Sequence, residues 1–369
     1  QLNRMSAARQ TLQEDGWSSF EKRAGMSLAT IYAVRMIGLF MILPVFSLYA
    51  DQYEGATHIL VGLALGIYGL TQGLLQIPYG MLSDRVGRKP MIALGLIVFA
   101  LGSVLAAYAD SIYGVIAGRA LQGAGAVAAV LMALAADLSR EEHRLKMMGF
   151  IGVSIGFAFA ISMVAGPFLN QLVGMSGLFL LTAVLAMLAL LILFFWVPSP
   201  QQSLFHRDTQ AVPTQFKSVL ADRQLLRLDF GIMVLHMVLM ATYVAFPLML
   251  QNQAGLASED HWKLYLPVFL LSVALMVPFI IVAESKRRMK QVFVGAIGLL
   301  AVAEINLLFG GASVWHLAIS MVVFFSAFNL LEASLPSLVA KMSPADRKGT
   351  AMGIYSSSQF IGAFIGGAA

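Results

Sequence analysis

Six short stretches, residues 4–23, 85–89, 140–146, 207–227, 286–290 and 341–348, hold 21 of the chain's 24 Lys and Arg residues. Nearly everything between them is apolar and long enough to cross a membrane. Between consecutive basic stretches the chain makes an out-and-back pair of apolar segments, and the turns between the two members of a pair (51–58, 110–111, 173–176, 251–263 and 310–313) carry a single cation, Lys263. Basic residues concentrate on the cytoplasmic side of a membrane protein, so the pattern predicts both topology and orientation. The basic loops and the amino terminus are expected in the cytoplasm.

Composition agrees, with 59% hydrophobic and 12% charged residues in 369, against a usual charged share of about 25% in soluble domains. The net charge of +5 sits in loops next to lipid, where anionic headgroups attract it, so no nucleic-acid partner is expected. The chain contains no cysteine. That excludes a thiolate nucleophile, and no metal site or cofactor is expected. Neither HExxH nor GxxxxGK[ST] is present and the six histidines are scattered, so the sequence predicts neither a membrane enzyme nor a nucleotide-driven pump. The first 25 residues lack the short apolar core and small-residue cleavage site of a signal peptide.

With about 20 residues per crossing, eleven segments are expected: 26–50, 58–82, 90–109, 112–137, 147–172, 177–198, 227–250, 262–284, 291–310, 315–340 and 350 onward. The predicted organisation is an amino-terminal cytoplasmic segment (1–25), a six-helix bundle (26–198), a linker (199–226) and a second bundle (227–369). Residues 216–226 are expected to form a surface helix within the linker. At an offset of 200 to 201 residues, Gly152 and Gly166 fall opposite Gly353 and Gly367, Arg35 opposite the neighbourhood of His236, and Asp84 opposite Glu284. Several matches at one offset point to duplication. The second half is thus expected to contain six helices, with the given sequence stopping inside the eleventh.

The sharpest motif is GMLSDRVGRKP at 80–90, in the basic turn between the second and third segments. Gly80 is expected to allow close helix approach and Gly87 a tight turn. Asp84 is an anion beside Arg85, Arg88 and Lys89. The fourth segment contains GRALQGAGA at 118–126, with Arg119 and Gln122, and the fifth ends in Ala165, Gly166 and Pro167, where a bend is expected. The first carries Arg35 and Pro44 in RMIGLFMILPVF. NLLEASLPSL in the tenth segment and GTAMGIYSSSQF at the start of the eleventh complete the set.

These motifs, spread over the whole chain, resemble the major facilitator superfamily, its twelve-helix drug:proton antiporter branch, and within that the YajR-type inner-membrane transporters. Two departures stand out: Ser162 and the run Phe168, Leu169, Asn170 around Gly-Pro, and the loop AESKRRMKQ at 283–291, which lacks the DRxGR pattern. The resemblance implies an all-α polytopic fold of two pseudo-symmetric six-helix bundles. It also implies a cytoplasmic latch in which Asp84 faces the start of the eleventh helix near Gly349 and Thr350, while Arg88 pairs with Asp137.

Ionisable residues deep in apolar segments are functional candidates by default. Arg35, Arg119, His236, Glu304 and Glu332 are the candidates for proton coupling, with Glu332 first; a fixed buried ion pair is the alternative reading for either acid. Asp229 and Glu284 lie near the basic ends and read as solvated or latch residues. From the resemblance, Phe40, Tyr68, Gln72, Gln122, Phe159, Tyr243, Phe246, Phe325 and Asn329 are expected along a central cavity, whose apolar wall suits lipophilic substrates. The expected function is proton-coupled export of lipophilic or amphipathic small molecules by a monomer in the bacterial inner membrane. A metabolite exporter or uniporter on the same fold is the alternative.

Overall fold

A computed structural model describes residues 17–199, 211–311 and 313–368. Among these the regular structure is helical. Helix α1 spans Ser19–Phe40 and starts seven residues before the expected apolar segment. The reason is a capping box: the Glu21 amide donates to Ser18 Oγ at 3.1 Å while the Ser18 amide donates to Glu21 Oε2 at 2.9 Å, so both orphan donors are satisfied before the apolar run begins. The helix ends where Pro44 can supply no backbone donor, and the chain turns through 41–45 into a short helix, Phe46–Tyr49.

Thr57 caps α2, His58–Val86, which gives way to α3, Arg88–Ala107, through Gly87 at φ 104°. Only glycine adopts that angle without strain. The fourth segment, expected as one helix, is two: α4, Ile112–Ala124, and α5, Ala128–Asp137. The break falls at Gly125, where a Cβ would collide with the Gly95 carbonyl of α3. Helix α6, Glu141–Phe195, contains the expected fifth and sixth segments and leaves helical geometry only at Gly174 (φ 66°, ψ −178°). It is a hairpin, because both ends return to the start of α1: the Arg140 amide donates to Glu21 at 3.0 Å, and Arg23 Nε donates to the Trp196 carbonyl at 2.8 Å.

The linker helix covers only Phe216–Leu220, and α7, Arg223–Asn252, begins under an Asp222 cap. Then follow α8 (His261–Ser285), α9 (Met289–Phe309), α10 (Val314–Met342) and α11 (Lys348–Ala368). Eight of the described helical segments are long and apolar enough to cross a membrane. At 55 residues α6 has length for two crossings, while α1 and α11 fall outside the eight because Arg35 and the 356–359 Ser-Ser-Ser-Gln run dilute their apolar content.

The halves meet along α2 and α11. Gly62, Gly66, Gly69 and Gly73 form one glycine face of α2, and a Cβ at Gly66 would lie 2.7 Å from the Phe364 carbonyl, one at Gly69 2.5 Å from that of Phe360. Without a hydrophobic drive inside lipid, helices associate through such backbone contact. Gly362 and Gly366 similarly admit the Met233 and Met237 carbonyls of α7. In the first half Gly166 of α6 admits the Met41 carbonyl.

Candidate functional site

The basic turn after α2 is built around Arg88, whose side chain is 1% exposed. Its Nε lies 3.0 Å from Asp137 Oδ2 and its Nη1 2.6 Å from Asp84 Oδ1. Nη1 also donates to Ser83 Oγ, and Lys89 Nζ donates to the Val197 carbonyl at 2.7 Å. One guanidinium thus clamps the end of α5 to the end of α2. Asp84 is partly exposed and held by Arg88 within its own half, rather than by Gly349 and Thr350. The Thr350 hydroxyl instead accepts from the Val212 amide at 2.8 Å and donates to Gln215 Oε1 at 3.0 Å. Gly80 does not serve close helix approach, since a Cβ there would meet only Ala129 at an ordinary 3.7 Å; its carbonyl accepts from Ser83. Arg85 is exposed. The side chain of Glu284 lies outside the described residues.

Deep in the first half, Arg35 and Arg119 are buried in one polar network. Arg35 donates to the Tyr68 hydroxyl (2.8 Å), Gln72 Oε1 (3.0 Å) and the Gly125 carbonyl (3.3 Å), and lies over the Phe99 ring. Arg119 donates to Gln122 Oε1 at 2.8 Å and to the Ala64 and Leu65 carbonyls, with the Tyr68 ring 5.2 Å away. Tyr68 therefore joins both cations, and carbonyl dipoles and aromatic faces do the work of counterions. Gln72 and Gln122, expected along a cavity, are fully buried as ligands of these arginines.

In the second half, Glu332 of α10 meets His236 of α7 through Gln359 of α11. The Gln359 amide donates to His236 Nε2 at 2.8 Å and to Glu332 Oε1 at 3.2 Å, and His236 Nε2 stands 3.8 Å from Glu332 Oε2. The Glu332 side chain is 37% exposed, although it lies well inside the apolar length of α10. Sequence reasoning missed Gln359. Its signal was position: Gln359 follows three serines in an otherwise apolar helix, a run too polar to face lipid. Glu304 is separate, accepting from Thr242 Oγ1 at 3.2 Å. Asp229 is buried, 4% exposed, not solvated. Residue position relative to the helix end gave the wrong reading because the packing of α11 over α7 covers that turn.

Aromatic rings from both halves meet about 10 to 20 Å inside the helix ends that lie away from the basic loops. Phe159 packs against Phe40 (centroids 5.0 Å apart), Phe269 (5.8 Å), Tyr243 (6.1 Å) and Phe325 (6.2 Å). Above this plug, Tyr49 bonds Ser258 at 2.8 Å and Gln171 Nε2 donates to the Glu259 carbonyl at 2.8 Å. Tyr243, Phe246 and Phe325 are completely buried, Tyr68 faces Phe360 across the α2–α11 contact, and Asn329 is half-buried. At the basic end, by contrast, each ion pair between described residues stays within one half. The helix passes through Gly166 and Pro167 without leaving helical geometry, Gly174 being the one exception in α6.

The inner membrane transport protein YajR of Escherichia coli (strain K12) is 52% identical over 347 residues, covering 94% of this chain and 76% of that protein. The multidrug resistance protein MdtH of Aeromonas salmonicida (strain A449) is 24% identical over 326 residues, 86% of this chain and 79% of that protein. Among solved structures, an inward-facing, occupied bacterial homologue of the human lysosomal transporter Spinster aligns with a TM-score of 0.78 at 16% identity, over 96% of this chain and 82% of that one. Residues 28–367 match the family profile of the Major Facilitator Superfamily. With that match across nearly its whole length, the chain belongs to the Major Facilitator Superfamily, a transporter whose helices form the α2–α11 seam, the Arg88 clamp and the aromatic plug described above.

Proposed function

We propose that this transporter exports lipophilic or amphipathic small molecules in exchange for protons, by alternating access between the bundles 26–198 and 227–369 joined by the linker 199–226. The protein acts as a monomer in a bacterial inner membrane, with the basic loops and the amino terminus in the cytoplasm. Supporting the membrane side are the clustered Lys and Arg residues and the similarity to the inner membrane transport protein YajR. A multidrug relative supports efflux, and the aromatic composition of the interface suits an apolar cargo.

The observation that carries the reading is the Glu332–Gln359–His236 contact. A carboxylate inside a span is costly unless it is used. Proton binding to His236 Nε2 would break its bond from Gln359 and turn an N–H toward Glu332, so the loading of the pair changes how α7, α10 and α11 hold one another. Rocking of the halves about the glycine seam of α2 and α11 then alternates the side from which the pair is reached. With the far end plugged, that side is the basic end in this conformation.

The test is uptake of tetraphenylphosphonium and of lipophilic dyes into inverted vesicles holding the full-length protein, with and without an imposed pH gradient. Accumulation driven by the gradient supports proton-coupled efflux. Passage of none of these compounds by a folded protein would favour the metabolite exporter, and gradient-independent passage a uniporter.

A further inference from the structure

Four buried polar atoms that find no hydrogen-bond partner among the described residues stand in one column of the second half: Asp229 Oδ1 and His236 Nδ1 on α7, Tyr355 Oη on α11 and Glu332 Oε2 on α10. Burying a polar atom unpaired costs about 1 to 3 kcal/mol, so four in one place call for a shared use. Their spacing is regular. Asp229 and His236 are two turns apart on one face of α7, and Tyr355 and Gln359 one turn apart on one face of α11. Tyr355 lies within electrostatic reach of both Asp229 and Glu332.

The rungs rise from the basic end. By residue count, Asp229 sits about 9 Å inside the start of α7 and Glu332 about 15 Å inside the end of α10. Asp229 and Tyr355 are each 4% exposed. The ionisable groups brought to the column by the packed helices are Tyr355 from α11 and Glu332 from α10, beside His236 on α7 itself; Lys217 on the short linker helix is exposed to solvent.

We infer that Asp229 and Tyr355 form a proton relay from the basic end to Glu332, an inference that rests on Glu332 being the coupling acid. Each transfer balances. Protonated Asp229 gives its proton to the Tyr355 oxygen, directly or through water, as the Tyr355 hydroxyl gives its own to the Glu332 carboxylate. Asp229 is left ionised, Tyr355 neutral and Glu332 protonated. Asp229 then reloads from bulk water. Tyrosine serves this role because its oxygen both accepts and donates.

The experiment is a pH jump on the full-length protein in detergent, following carboxyl protonation by time-resolved infrared absorption. The Glu332 band is assigned by its loss in Glu332→Gln. Asp229→Asn and Tyr355→Phe should leave the Glu332 band in place but slow its appearance by on the order of a hundred-fold, while Asp229→Glu restores part of the rate. Tyr355→Phe removes a hydroxyl that has no hydrogen-bond partner among the described residues, so its fold should survive. Unchanged kinetics in both Asp229→Asn and Tyr355→Phe would overturn the relay. Absence of any Glu332 band after the jump in the wild type would instead refute Glu332 as the coupling acid, and the relay with it.

Discussion

The guanidinium of Arg88 and the carboxylate of Asp137 lie 3.0 Å apart with side chains 1% and 0% exposed, so the more deeply buried ion pair of Arg88 is a fastening within the first bundle. The motif that carries it was legible as a charge cluster, but which of its residues acts as the anchor was not. Three cations follow Asp84 there, and only packing decides that Arg88 is the one that reaches both Asp84 and Asp137.

Removing Asp137 leaves the buried Arg88 guanidinium balanced only by the partly exposed Asp84. Asp137→Ala should therefore destabilise the detergent-solubilised protein by about 3 to 5 kcal/mol, read as a lowered midpoint of thermal unfolding. Asp84→Asn, at the partly exposed partner, should shift the midpoint far less. It should still impair transport if release of Asp84 from Arg88 accompanies closure of the basic end, and normal turnover in well-expressed Asp84→Asn protein would count against that role.

The glycine face of α2 gives a contrast within one experiment. Gly69→Leu should abolish folding or transport, because the Phe360 backbone of α11 already stands at contact distance. Gly152→Ala in α6, with nothing within 4 Å of an added Cβ, should be neutral. Equal effects of the two changes would show that the seam is not closely packed in the working protein.

Much of the architecture follows from the alternation of basic loops and apolar runs, which is a long-range pattern written in composition. The misreadings are local. Helix α1 begins before its apolar segment because Ser18 and Glu21 cap each other, and the fourth segment splits because Gly125 sits against Gly95. Gln72 and Gln122 were assigned to a cavity because their helices were expected to line it, yet they turn to Arg35 and Arg119, and no periodicity reveals which polar side chain a buried cation will recruit. Glu332 was legible as a lone acid in an apolar run. Its partner Gln359 was not, because the pairing joins helices that are remote in sequence.

At the basic end, Glu21 accepts from Arg140 and lies 3.2 Å from His143. Burial opposes its ionisation, but the hydrogen bonds from Arg140, Ser18 and His143 outweigh that and bring its pKa down to about 2. A carboxyl with a depressed folded-state pKa contributes stability that is present above its ordinary value and is lost as pH falls toward the folded one. The stability difference between wild type and Glu21→Gln should therefore be constant above about pH 5 and shrink as pH falls from there toward 2. Thermal melts at stepped pH measure it; a difference independent of pH would remove Glu21 from the fastening of α1 to the start of α6.

Since the chain contains no cysteine, paired cysteines can report the far-end seal cleanly. Gln171→Cys with Ser258→Cys, bridged by a short bis-maleimide, should hold the two halves together across the Gln171–Glu259 contact and arrest transport. The single variants treated alike should remain active. Full activity in the bridged protein would mean that this end does not open during turnover.

The most direct measurement is proton release from the full-length protein in weakly buffered detergent solution on binding of a transported lipophilic compound. Release by the wild type that disappears in Glu332→Gln, with binding of the compound retained, is the predicted result. Equal release from both proteins would contradict Glu332 as the proton's carrier.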